Sequence, residues 1–289
     1  MPVSLIKALR STLVALACTL VIAGCSRIDL AYRNLDTLVP WSLGDYLDMN
    51  REQKSWLDQR LQQHLAWHCK TQLPGYLDWL DQMRQMIATD QVTDQALQQR
   101  TAEARQAIGR VAEAITPSAT ELLRGMSDKQ VEEMRQAFRD DISERQAKYV
   151  NTPLPKQIDN RAERMEKRLK GWLGELTDAQ RQRVKAWSVA LGDQNRAWIT
   201  NRAHWQQQLV LAMNQRSTPN FEPRLAQLLQ RKESLWTPEY RAAFQNTEQQ
   251  ARSLLVDLMQ ESTPTQRQYL QERLTKVRAS FSELKCLKG

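Results

Sequence analysis

Glycine is scarce in this chain: nine residues in 289, and no two of them separated by a single position. That excludes the Gly-x-Gly-x-x-Gly turn of dinucleotide-binding folds and the Gly-rich loops that cradle phosphates. Gly-x-Ser-x-Gly and Cys-x-x-Cys are missing as well, which removes the serine elbow of α/β-hydrolases and the common redox motif. Histidine occurs only three times, so any metal reading must rest on few ligands. Strand-forming residues are scattered, with no sustained two-residue alternation, and a sheet has nothing to build on. No enzyme constellation is left in view, and the expectation is a protein that acts without catalysis and without a cofactor.

One long uncharged apolar run is present, at the N-terminus. Lys7 and Arg10 precede it, Leu13 to Ile22 form it, and Ile22-Ala23-Gly24-Cys25 closes it. The run is shorter than the ~20 apolar residues that cross a bilayer, so it reads as an export signal. Its closing tetrapeptide resembles the lipobox of bacterial lipoproteins, in which small residues precede a cysteine that is acylated before the signal is cut. The resemblance implies a signal at 1–24, then a lipidated, membrane-proximal segment at 25–44 whose Cys25 carries acyl chains such as palmitate, then one helical domain at 45–289. Two or more acyl chains give stable anchoring. In that family an Asp after the cysteine retains the protein in the inner membrane; Ser26 stands there instead. The implied address is the inner leaflet of the outer membrane, facing the periplasm.

Loss of residues 1–24 takes away Lys7 and Arg10 and no acid, so the formal charge falls from +8 to +6. Spread over a long chain, this suits anionic headgroups or acidic partners and does not make a nucleic-acid binder. The same resemblance implies that Cys18 leaves with the signal and Cys25 carries lipid, which would leave Cys69 and Cys286 as thiols in an oxidising compartment. They form either a disulfide or two free buried thiols, and their separation in the fold decides between the two.

Gln, Arg, Leu and Ala dominate the remainder, and the pattern predicts an all-α, multi-helix bundle of antiparallel helices. Helices are expected at about 45–71, 74–89, 91–115, 118–125, 128–150, 155–174, 178–216, 222–235, 238–261 and 264–286. The segment 178–216 carries Val184, Leu191, Trp198, Trp205 and Ala212 at seven-residue intervals, which predicts one helix of nearly forty residues with a continuous apolar seam. Its tryptophans form either core knobs or an aromatic ladder for a ligand.

A short grammar recurs four times: Asn50-x-x-Gln53, Ser127-x-x-Gln130, Thr177-x-x-Gln180 and Thr263-x-x-Gln266, each with an apolar residue four positions beyond the Gln. Physically this is the capping box, in which the first side chain accepts from the N3 amide and the Gln reaches back to the cap amide. Leu176-Thr177-Asp178-Ala179-Gln180 also resembles the Leu-Thr-x-x-Gln hallmark of periplasmic stress chaperones of the Spy and CpxP type. That resemblance implies binding of unfolded polypeptides. Cys25 to Asp36, Val39-Pro40-Trp41, Asn50 to Gln53, His64 to Cys69 and Gln72-Leu73-Pro74 together resemble a family of bacterial lipoproteins of unknown function. This second resemblance implies the address and names no activity.

Other candidate sites come from spacing. His64-x-x-x-His68 beside Cys69 puts two imidazoles on one helix face, a geometry zinc can use, or two structural histidines. Asp45 with Asp48, Asp78 with Asp81, and Asp140 with Asp141 are carboxylate pairs, suited to acid–base work when one is kept protonated, and otherwise solvated. Arg161, Arg164 and Arg168 align at helical spacing and suit clamping of a phosphate or carboxylate on anionic lipid or cell-wall polymer; the other reading is a solvated face. The favoured partner is an envelope protein or polypeptide, with the membrane engaged through Cys25.

Overall fold

The computed structural model describes residues 32–288, so the expected signal at 1–24 and Cys25 lie outside the described residues. The fold is all-α. In chain order the helices are α1 Leu35–Gly44, α2 Arg51–Thr71, α3 Leu73–Ala88, α4 Asp94–Arg124, α5 Asp128–Tyr149, α6 Leu154–Leu173, α7 Asp178–Ala190, α8 Gln194–Met213, α9 Phe221–Gln230, α10 Pro238–Gln260, α11 Pro264–Ser282 and α12 Lys285–Lys288, with a 3-10 turn at Lys232–Leu235. Among the described residues no helix is long and apolar enough to cross a membrane.

All four recurrent motifs start helices as complete capping boxes, at α2, α5, α7 and α11. Tertiary structure adds that they meet in pairs. Gln130 Nε2 donates to Gln53 Oε1 at 2.7 Å, while Gln180 and Gln266 exchange amide hydrogen bonds at 3.0 and 2.9 Å. The register is the same in both locks: Gln130 Nε2 also reaches Asp48 O and Gln266 Nε2 reaches Glu175 O, each two residues before the partner's cap. Each glutamine thus caps its own helix with its oxygen and ties a second helix start with its nitrogen.

The helix contacts follow the same correspondence. α1 packs on α2 as α6 packs on α7, and α2 on α4 as α7 on α10. Each half also lends a helix to the other, α3 lying against α11 and α8 against α5. The result is two interlocked halves with two apolar cores, one at each glutamine lock. Leu73, Leu80, Leu173, Val184, Trp187, Leu258 and Leu274 belong to the first; Met126, Met134, Leu209, Met213, Phe221 and Leu225 belong to the second.

Two expectations about helix length are corrected. The helix of nearly forty residues is two helices, because α7 ends at Ala190 and α8 begins at Gln194. Gly192 at φ +50 takes the left-handed turn that glycine adopts without strain. The seam therefore serves two cores: Val184, Trp187 and Leu191 face the first, Leu209 and Ala212 the second. In the opposite direction, the separate helices expected at 91–115 and 118–125 are one, α4, which runs through Pro117. Proline removes one intrahelical donor and usually bends the helix. Here Thr116 and Thr120 hydroxyls bond back to Ala112 O and Thr116 O, and α9 packs against α4. Burial keeps the helix continuous.

The ends differ more modestly. A helix at Leu35–Gly44, ahead of the first expected one, lies within the expected membrane-proximal segment at 25–44, and α2 starts at its Asn50 cap rather than near 45.

Candidate functional site

An apolar cleft of about 880 Å³ lies between α3, the first half of α4, the end of α6, α10 and α11. Tyr76, Trp79, Met83 and Met86 supply one wall from α3, at the three- and four-residue spacing of a helix stripe. Ala104, Ala107 and Ile108 of α4 also line it, and the small alanine side chains fill little of its volume. Leu255 and Met259 of α10 and Leu270, Leu274 and Phe281 of α11, which packs against α3, complete the lining. Ile108 is 60% exposed and Leu255 42%, so the rim keeps open apolar surface. Polar groups are few: Asp78, Gln82, Glu103, Gln106 and Arg110 stand among the lining side chains. The volume lies within the ~300–1,000 Å³ typical of ligand pockets. Three methionines in the lining give it an adaptable surface suited to varied apolar ligands.

One end of the cleft is built by a hydrogen-bonded chain. Tyr32 Oη lies 3.0 Å from His68 Nδ1, and His68 Nε2 lies 3.1 Å from the Oη of Tyr76, a cleft-lining residue. Tyr32 also packs edge-on against Phe281, at 5.5 Å between ring centroids. Next to this chain Cys69 and Cys286 are joined as a disulfide, with Cα atoms 6.2 Å apart, inside the 4.4–6.8 Å that disulfides span. Burial pushes the Tyr32 phenol up to about 12, with Tyr76 adding to the effect, and raises Tyr76 too. Burial lowers His68. All three groups are therefore neutral at pH 7. The chain holds protons in place, and no carboxylate orients the imidazole as in a nucleophile triad.

The histidine spacing does not produce a shared site. His64 Nε2 meets Ser118 Oγ at 2.8 Å while His68 is held between the tyrosines. Among the described residues no group of three or more His, Cys, Asp or Glu side chains could hold a metal ion. With Cys69 in a disulfide, its sulfur is not a thiolate ligand either.

Both histidines have a pH consequence. His64 is lowered by burial and by the Arg60 charge, His68 by burial. In the unfolded chain each binds a proton near pH 6.5, and in the folded chain only at lower pH, so the unfolded state holds more protons between those values. The stability they contribute is present above pH 6.5 and is lost as pH falls through their folded values. Thermal melts from pH 7.5 to 5.5 are expected to show a declining midpoint, and His68→Gln to flatten the decline. An identical slope in wild type and variant would refute the assignment to His68.

The carboxylate pairs separate. Asp140 accepts from exposed Gln136, whereas Asp141 accepts from Tyr46, Arg145, Arg202 and Gln206. Burial opposes ionisation of Asp141, but the bonds from Arg202, Arg145 and Tyr46 outweigh it and hold the carboxyl below its ordinary value. Asp81 is lowered chiefly by its hydrogen bond from Arg278, with Nε at 2.7 and 2.8 Å from the two oxygens. Neither is a raised acid of the kind acid catalysis needs. Asp78 remains exposed at the cleft. Asp45 caps the end of α1, and the Asp48 carbonyl accepts from Gln130.

The arginine alignment is corrected in part. Arg161 is buried, donating from Nη1 to Ser188 O and from Nη2 to Gly192 O, both at 2.9 Å. It satisfies carbonyls freed where α7 ends, while Arg164 and Arg168 stay exposed. An exposed three-arginine clamp does not form, because the helix turns its first member inward to serve the break. Trp198 and Trp205, from the tryptophan series, line a second cleft of about 680 Å³. Arg145 and Tyr149 pack on Trp198, and the ring edge of Trp205 donates from Nε1 to Leu228 O.

A family model described as a family of unknown function, DUF6279, matches residues 45–241. The chain belongs to this family. No curated protein and no solved structure matches it. The DUF6279 match takes in three of the four capping boxes, Arg161 and the cleft residues of α3, α4 and α6; the cleft residues of α10 and α11 and Cys286 lie beyond its end.

The cleft was not legible in the sequence. Its residues carry the same apolar spacing as core positions, and only the distances between helices decide whether such a stripe is closed or open. The one local signal is breadth: α3 is apolar on the face that buries Leu73, Leu80 and Ile87 and again at Trp79 and Met83.

Proposed function

We propose that this DUF6279 protein is a lipid-anchored protein of the cell envelope that acts by binding, and that its apolar cleft takes apolar segments of envelope polypeptides in chaperone-like or scaffolding fashion. The observation that carries the reading is the cleft itself, an open Met- and Trp-lined groove. The anchoring half rests on the sequence ending in Ala23-Gly24-Cys25, on the +6 charge that follows the signal, and on Trp41, which stays 68% exposed on α1 close to the proposed anchor. The alternative, an anionic-lipid or cell-wall binder using the basic face of α6, is weakened by the inward commitment of Arg161.

The test is suppression of aggregation of a thermally unfolding client by the mature domain, followed by crosslinking in the envelope through a photoreactive residue at Ile108. Ile108→Glu and Leu255→Glu place charges in the cleft rim at positions that are already exposed, where the carboxylate reaches water, and thermal melts check that each variant is folded. Loss of ~1.4 kcal/mol of binding is tenfold in affinity, and each variant is expected to lower client protection by at least about that factor. Protection that survives both substitutions unchanged would sink the cleft as the binding surface.

A further inference from the structure

The open cleft and the first described residues meet at one end of the molecule. Tyr32 packs on Phe281, a cleft-lining residue of α11, and connects through His68 to Tyr76, a cleft-lining residue of α3, and the Arg33 guanidinium lies 3.4 Å from Ser280 O. The chain is thus fastened to the cleft's end at residue 32. Cys25 is seven residues before it, and seven residues reach at most about 25 Å. Along α3 the cleft runs from Gly75 to Ile87, about 18 Å at helical rise. An acyl chain spans half a hydrocarbon core, about 15 Å. The groove therefore has the length and the apolar lining of an acyl-chain site, and its end lies within reach of the proposed lipidated residue.

We propose that the cleft is a site for a fatty acyl chain and that its occupant is an acyl chain on the same molecule's Cys25. This rests on the anchoring reading above. A short tether holds its ligand at an effective concentration in the millimolar range, so away from a membrane the attached chain fills the cleft ahead of free lipid. A bilayer competes for the same chain. Insertion into the membrane empties the cleft, and apolar polypeptide gains access only where the protein is seated on a membrane. The lipid is then both anchor and intramolecular plug.

The experiment compares the mature lipidated chain, freed of detergent, with a Cys25→Ser chain exported through an ordinary signal, using pyrene-labelled palmitate as the probe. Intact mass first establishes whether Cys25 carries acyl chains. The Cys25→Ser chain is expected to bind the probe, with Ile108→Glu or Leu255→Glu weakening binding about tenfold or more, and the lipidated chain to exclude it. Lipid made in cells from a photoreactive palmitate analogue should crosslink within the same molecule to peptides of α3 or α11, and added phospholipid vesicles should abolish that crosslink. No probe binding by the Cys25→Ser chain would overturn the acyl site. Equal binding by both chains would overturn self-occupancy. An intact mass without acyl chains would remove the anchoring reading itself, and the mass separates that failure from the other two.

Discussion

Replacing Cys69 and Cys286 together by serine is expected to lower the thermal midpoint by on the order of 10 °C. The two residues are 217 apart in sequence, and for so long a loop the chain-entropy model gives about 5 kcal/mol as an upper figure, with about 2–4 the usual range. In a domain of this size each kcal/mol moves the midpoint by about 2–4 °C. The bond also has a local role, because it ties the end of α2 to α12 beside the Tyr32–His68–Tyr76 chain. Calorimetry of wild type with and without reductant, set beside the double variant, measures the effect. The reduced wild type and the variant should melt together, well below the oxidised protein. Coincident melting of all three would mean that the bond does not hold the fold.

The second large effect is expected at Gln180. Its side chain is fully buried, accepts from the Thr177 amide and exchanges hydrogen bonds with Gln266. Gln180→Ala leaves the cap amide and part of the Gln266 amide without partners, at about 1–3 kcal/mol for each unsatisfied buried group. A loss of about 3 kcal/mol in urea denaturation, with unchanged slope, is the expected result. Gln53 performs the same role in a more exposed setting, where water replaces lost partners, so Gln53→Ala should cost much less. Replacing Gln180 and Gln266 together by leucine should cost less than the two single substitutions summed, since neither then strands the other. Equal costs at Gln53 and Gln180, or strict additivity of the pair, would show that the lock contributes only ordinary helix capping.

These two cases also mark where sequence reading stops. Each capping box is complete within four residues, so Asn50, Ser127, Thr177 and Thr263 could be named as helix starts from local chemistry alone. That Gln53 meets Gln130 and Gln180 meets Gln266 depends on chain segments 77 and 86 residues apart, for which no local rule exists. Pro117 and Gly192 show the same limit at helix scale. Proline is a breaker by propensity, yet α4, packed against α9, stays continuous through it. Gly192 followed by Asp193 is a stop signal that the seven-residue seam obscured, since the seam continues across the break to serve a different core.

By itself the sequence determined the all-α class, the four capped helix starts and the absence of known catalytic motifs. All of these follow from residue types within a few positions of one another. Tertiary structure alone decided how the halves interlock, that Arg161 turns inward, that His64 and His68 part company, and that the stripe on α3 lines an open cleft. Those outcomes depend on which helices approach and at what distance, a balance of burial summed over the whole chain that no short window contains.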